Sequence, residues 1–220
     1  MSASPMAQNA LLVVDVQNDF TTGTDEKPAG SLAVPGSERI FGAVNMWIKT
    51  FMGFNRPVIF TFDFHPPTTP HFDKWPVHCV QDTEGSELDK RVFFPDTLDS
   101  PVYFIYKGLG KDDGYSAFSE PQQGLRIDPF REDTVTEIDS ITEVLTETGT
   151  KTLYVVGLAT DFCVKHSVLD ALARGIRVVV FLDACAAVFP NDVPAVVTEL
   201  TEAGAEVFWG TERLDKDSFV

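Results

Sequence analysis

The sequence predicts a three-layer, doubly wound α/β fold, with a mainly parallel six-stranded sheet and helices on both faces. Three observations predict it. Short runs rich in β-branched and aromatic residues recur from end to end, and they are continuously apolar, as strands buried on both faces are. Segments with apolar residues three and four apart separate most of these runs. Strand–helix–strand repetition needs crossover connections, which are right-handed and make the strands parallel.

The first strand run is Ala10–Val16. The helical segment Ser37–Phe51 follows, with Ile40, Phe41, Val44, Trp47, Ile48 and Phe51 on one face. Val58–Phe62 reads as the second strand and Val102–Tyr106 as the third. Between them, Phe64 to Ser100 breaks the rhythm: it is rich in Pro, His and Asp, and a loop this long inside a domain is usually functional. Asp139–Thr148 reads as a helix with Ile141, Val144 and Leu145 inward, and Thr152–Val156 as the next strand. Phe162–Arg174 is a helix closed by Gly175, followed by the strand Ile176–Leu182. Val193–Ala203 is a helix that ends at Gly204, and Glu206–Trp209 is the last strand. At 220 residues, with no repeat or linker, the expectation is one domain over residues 1–220 that carries a loop insertion at about 64–100.

Seventeen basic residues against thirty-three acidic ones give a net charge of −16. That field repels phosphate backbones and anionic bilayers, so neither nucleic acid nor membrane is expected as a partner. Met1 to Ala10 lacks the basic-then-apolar pattern of a signal peptide, and no apolar run is long enough to span a bilayer. Three sparse cysteines, Cys79, Cys163 and Cys185, do not form a disulfide framework. A cytoplasmic protein is expected.

In an open parallel sheet, ligands bind beyond the carboxyl ends of the strands. The first strand ends at Asp15 and Asp19, the second in Asp63-Phe-His65, and the third at Lys107-Gly108. The fourth runs into Gly157-Leu-Ala-Thr-Asp-Phe-Cys163. Three of the four histidines fall between positions 65 and 78, so Asp63, His65, His71 and His78 make a metal-ligand set suited to Zn, Fe, Mn or Co. Cys163 sits in the first turn of a helix, with Thr160 as N-cap, where the helix start favours a thiolate and free amides favour an oxyanion. A buried structural cysteine is the competing reading, and Asp15 and Lys107 on the same rim weigh against it. Asp15 is expected to be desolvated, with its pKa raised by burial and opposed by Lys107, and to exchange the thiol proton. His166, three residues past Cys163, offers a Cys–His dyad as a lesser reading. Cys79 and Cys185 read as packing, and Gly108-Leu-Gly-Lys111 lacks the spacing of a phosphate loop.

These stretches resemble the nicotinamidases (pyrazinamidase-like) of the isochorismatase-like cysteine hydrolase superfamily. The resemblance rests on Val14–Phe20, Asp63-Phe-His65, Trp75-Pro-Val-His-Cys79, Tyr106-Lys-Gly108 and Val156–Cys163, in family order. It implies deamidation of nicotinamide to nicotinic acid and ammonia through a Cys thioester, in NAD salvage. It implies Asp15, Lys107 and Cys163 as the catalytic triad. It also implies one divalent metal, zinc with iron or manganese as alternatives, on Asp63, His65 and His78, joined by His71 as in some members. A cis Leu158–Ala159 peptide would set the amides of Ala159 and Cys163 as the oxyanion hole. Phe20 and Trp75 would sandwich the pyridine ring, and Tyr115 would line the pocket. Monomers and homo-oligomers both occur in the family. Relatives acting on other small amides or ureides keep the triad but lack the metal set. Direct attack by a metal-bound hydroxide, and a non-catalytic metabolite-binding protein, are the remaining alternatives.

Overall fold

A computed structural model of the chain describes residues 8–95, 100–111, 113–128 and 135–210. The stretch read for a signal peptide lies outside them up to residue 7, as do residues 96–99 of the long loop. The elements are β1 (Asn9–Val14), α1 (Phe41–Gly53), β2 (Val58–Asp63), β3 (Val102–Lys107), β4 (Gln123–Ile127), β5 (Val135–Ile138), α2 (Ile141–Glu147), β6 (Thr152–Leu158), α3 (Lys165–Ala173), β7 (Arg177–Ala186), α4 (Val193–Glu202) and β8 (Glu206–Phe208). Among the described residues, no helix is long and apolar enough to cross a membrane.

The sheet has eight strands in the order β5-β4-β3-β2-β1-β6-β7-β8, not six. The six expected strands are the parallel ones, and β4 and β5 add an antiparallel edge beside β3. Both extra strands mix polar and apolar residues, because an antiparallel edge wets one face. A search for continuously apolar runs passes over them.

Alternate residues of β1 explain the apolar runs. Ala10, Leu12 and Val14 enter a core with α2, α3 and α4. Leu11 and Val13 enter the opposite core beneath α1, where Trp47 stacks on Phe181 with ring centroids 3.9 Å apart. Each fully buried aliphatic or Phe side chain contributes roughly 1.5–3 kcal/mol. The helix α2 starts on Ser140, which accepts from the Glu143 amide, while Glu143 accepts from the amide of Asp139, one residue before the cap. Gly175 and Gly204 end α3 and α4 with φ of 76° and 105°.

Strand order reverses at β1: β2 and β3 lie on one side, β6 and β7 on the other. A crevice therefore opens beyond the carboxyl ends of β1 and β6. The two strands approach closely at Gly157 (φ 114°), where an added Cβ would lie 2.2 Å from the Val14 carbonyl oxygen. The long loop folds back over this crevice. Gln17 fastens it, donating to the carbonyls of Asp63 (2.7 Å) and Ser86 (2.9 Å) and accepting from the Asp63 amide (2.8 Å). Asn18 donates to the Glu84 carbonyl, and Asp19 accepts from the Cys79 amide at 2.8 Å. Asp19 thus secures the loop and takes no part in the rim.

Candidate active site

Four strand ends deliver Asp15, Asp63, Lys107 and Cys163 to one buried point. Asp15 follows β1 in a left-handed conformation, φ 46°, which costs a non-glycine residue about 1–3 kcal/mol and turns the carboxylate into the crevice. Thr61 on β2 donates its hydroxyl to Asp15 Oδ1 at 2.6 Å. Asp63 and Lys107 are register partners at the ends of β2 and β3. Lys107 is fully buried. Its ammonium lies 2.9 Å from Asp15 Oδ2, hydrogen-bonds Asp63 Oδ1, and reaches the Cys163 sulfur at 3.6 Å.

The charges divide the two carboxylates. Burial raises the Asp15 pKa, Lys107 opposes the shift and Asp63 adds to it, so the direction is upward as expected. Burial also acts upward on Asp63, but Lys107 and then His65 outweigh it and hold this carboxyl well below the ordinary range. Burial alone would lower the Lys107 pKa, but Asp15 and Asp63 outweigh it and raise that pKa well above its usual value. Lys107 is thus the cation of the cluster formed by Asp15, Asp63 and Cys163, whose donor atoms lie within 4.8 Å of one another.

Cys163 lies in a π-helical turn, Thr160–Val164, that leads into α3, and Ala159 rather than Thr160 is the cap. Its thiol pKa is not lowered as expected from the helix start. Burial pushes it well above the ordinary value, against Lys107 and with help from Asp15 and Asp63. Burial thus favours the neutral thiol over the thiolate. The turn is fixed by Ser167, which donates to the Cys163 carbonyl at 2.6 Å and accepts from the Ala117 amide at 2.8 Å. The Leu158–Ala159 peptide bond is cis, and Ala159 lines the same pocket as Cys163.

Beside this cluster His65, His71 and His78 converge, all buried, with donor atoms within 4.8 Å of one another. Each has its Nδ1 on an oxygen: His65 on the Gly108 carbonyl (3.0 Å), His71 on Asp113 Oδ1 (3.0 Å) and His78 on the Pro76 carbonyl (2.6 Å). Gly108, at φ 71°, leaves room for the His65 ring, which an added Cβ would approach to 2.6 Å. Committed Nδ1 atoms leave the Nε2 lone pairs for another partner. The His65 Nε2 is buried with no hydrogen-bond partner, and Asp63 Oδ2 stands 3.6 Å from it and 3.9 Å from His78 Nε2. Burial lowers the pKa of His71 and of His78, which keeps both neutral and able to ligate. This donor set fits a divalent cation.

One pocket opens onto both clusters, with Asp63, His71, His78, Ala159 and Cys163 in its lining. Phe20, Trp75 and Tyr115 line it, and Trp75 Nε1 donates to the Tyr115 hydroxyl at 2.8 Å. Phe162, Leu32, Val34 and Val188 complete the wall. Phe162 adjoins Cys163 and packs edge-on to Trp75 at 5.0 Å, so its neighbour in sequence could have flagged it. The other three come from loops with no motif, and Thr61 and Asp113 carried no pattern either. His166 stacks on Tyr115 at 5.3 Å and is not among the pocket-lining residues, so it forms no dyad with Cys163 there. Cys79 is buried with its thiol 3.8 Å from the Gly85 carbonyl, and Cys185 borders the core, as expected of packing residues.

The model of the isochorismatase domain matches residues 9–211. The chain is 34% identical to a nicotinamidase of Acinetobacter baylyi over 203 residues, which covers 83% of each protein. Among solved structures it is similar to a pyrazinamidase of Pyrococcus horikoshii in complex with zinc: 31% identity, TM-score 0.74, covering 92% of this chain and 99% of that one. It is also similar to PnC1 from L. infantum in complex with nicotinate, with 28% identity and TM-score 0.73 over 93% of each chain. A family model that spans nearly the whole chain, and a relative one-third identical over most of it, establish that the chain belongs to the isochorismatase-domain family of hydrolases.

Proposed function

We propose that the chain deamidates nicotinamide to nicotinic acid and ammonia, as a nicotinamidase in NAD salvage, through a thioester on Cys163. The observation that carries this reading is the fully buried Lys107 ammonium, in contact with Asp15, Asp63 and Cys163 together. Asp15 takes the thiol proton, since burial leaves Cys163 protonated at rest. The thiolate attacks the carboxamide carbon, and the amides of Ala159 and Cys163 hold the oxygen as charge develops on it. Asp15 returns the proton to departing ammonia, and water then hydrolyses the thioester. Lys107 holds the Asp15 carboxylate in place throughout.

Phe20 and Trp75 clamp the ring, and Tyr115 closes the pocket wall. Asp63, His65 and His78, with His71, would hold one divalent cation, zinc by preference. When bound, it would supply Lewis acidity beside the pocket for orienting the substrate ring. The Phe64–Ser100 insertion serves as the metal loop of a single catalytic domain. The free thiols of Cys79, Cys163 and Cys185 are in keeping with a reducing, cytoplasmic compartment. Mass spectrometry of protein quenched during turnover tests the reading. A nicotinoyl adduct on the peptide that carries Cys163 is expected, and an adduct-free thiol at full turnover would overturn it.

A further inference from the structure

His65 and His78 hold their Nδ1 atoms on backbone carbonyls, which no substitution of a side chain removes. His71 differs. Its Nδ1 faces Asp113 Oδ1 at 3.0 Å, and the other oxygen of that carboxylate accepts from Lys74 Nζ at 2.8 Å. A carboxylate only accepts, so the His71 nitrogen that faces it carries the hydrogen. The Nε2 lone pair is then left for the point where the three histidines converge. We propose that Asp113 is a positioning residue for metal capture, which fixes His71 as the Nδ1–H tautomer and so makes it a ligand. This rests on reading the three histidines and Asp63 as a metal site.

The same carboxylate joins two loops. His71 and Lys74 meet Asp113, and Trp75 meets Tyr115 two residues further on. The ligand loop and the pocket wall are thus tied together at three points. A carboxylate behind a ligating imidazole also raises its basicity, and loss of such partners weakens metal binding about 10- to 100-fold.

The test is zinc affinity, measured by competition with a chromophoric chelator, for wild type, Asp113→Asn and Asp113→Ala, alongside melting of each metal-free protein. Asp113→Ala should bind zinc about 10- to 100-fold more weakly while still melting cooperatively without metal, its Tm lowered by the lost contacts to His71 and Lys74, and Asp113→Asn should fall between in affinity, because its amide oxygen still accepts. Long-range ¹H–¹⁵N spectra of metal-free, histidine-labelled wild type should show His71 as Nδ1–H, assigned with His71→Gln. Equal affinity in wild type and Asp113→Ala, or an Nε2–H His71 in wild type, overturns the role of Asp113 alone. A wild type that binds no divalent cation overturns the metal reading and the proposal with it. If Asp113→Ala does not fold, the wild-type spectrum decides.

Discussion

Replacing Lys107 by Met keeps the length and apolar stem of the side chain and removes its charge. In wild type the ammonium lies 2.9 Å from Asp15 and bonds Asp63, with all three side chains buried. Removing one partner of a buried ion pair costs about 3–5 kcal/mol, because the remaining charge has neither water nor counter-ion. For a chain of this size each kcal/mol lowers Tm by about 2–4 °C, so a drop of roughly 6–20 °C is expected for Lys107→Met with chelator present. The deficit should depend on pH. Lys107 lowers the pKa of both Asp15 and Asp63, so its loss raises both in the folded state. A raised carboxyl pKa favours folding below the unfolded value near about 4 and loses that benefit as pH rises through the folded value. The deficit should therefore shrink as pH falls from neutrality toward the carboxylate range. Deamidation should fall at least about 100-fold, the low end for a displaced general base. Thermal melts across pH decide the matter. A variant that melts within a degree or two of wild type at neutral pH, with no pH trend, would show that the Lys107 charge does not hold the buried carboxylates in place.

Thr61→Val removes the hydroxyl that hydrogen-bonds Asp15 and lowers its pKa. Asp15 must be ionised to accept the thiol proton, so the acid limb of the kcat/KM profile should move to higher pH, with a stability loss of about 1–3 kcal/mol. An unmoved limb would argue against Asp15 as the base. Gly157→Ala should prevent soluble folding or cost several kcal/mol in denaturant melts, because its Cβ meets the Val14 carbonyl oxygen at 2.2 Å with φ at 114°. Gly42→Ala, with nothing within 4 Å and a helical backbone, should be neutral or stabilising by up to about 1 kcal/mol.

Much of this was legible in the sequence, for reasons that differ by element. The six parallel strands are buried on both faces, so Leu11 and Leu12 both had to be apolar and the run announced itself. The edge strands β4 and β5 carry Arg126 and Glu137 among their apolar residues, and no local pattern separates them from loop. Asp15, Asp63, Lys107 and Cys163 were readable as a set because each stands at or just beyond a strand's carboxyl end, and a doubly wound sheet brings those ends together. The histidines were readable from their clustering. What holds them was not: Gly108, Pro76 and Asp113 meet the three imidazoles through loop geometry. The direction of the Cys163 shift also lay beyond reach, because it depends on how completely the sheet and the long loop exclude water from the thiol. The start of a helix alone argued the opposite.

On the proposed function Cys163, served by Asp15 and Lys107 beside a histidine cluster that would hold a metal, cleaves the carboxamide of nicotinamide. Ammonia release from nicotinamide by purified protein tests it directly, with Cys163→Ala and a chelated sample run in parallel. Wild type should release ammonia robustly and Cys163→Ala none, and chelation should abolish a release that added zinc restores. Full activity in Cys163→Ala, or no release from metal-restored wild type, would contradict the proposed function.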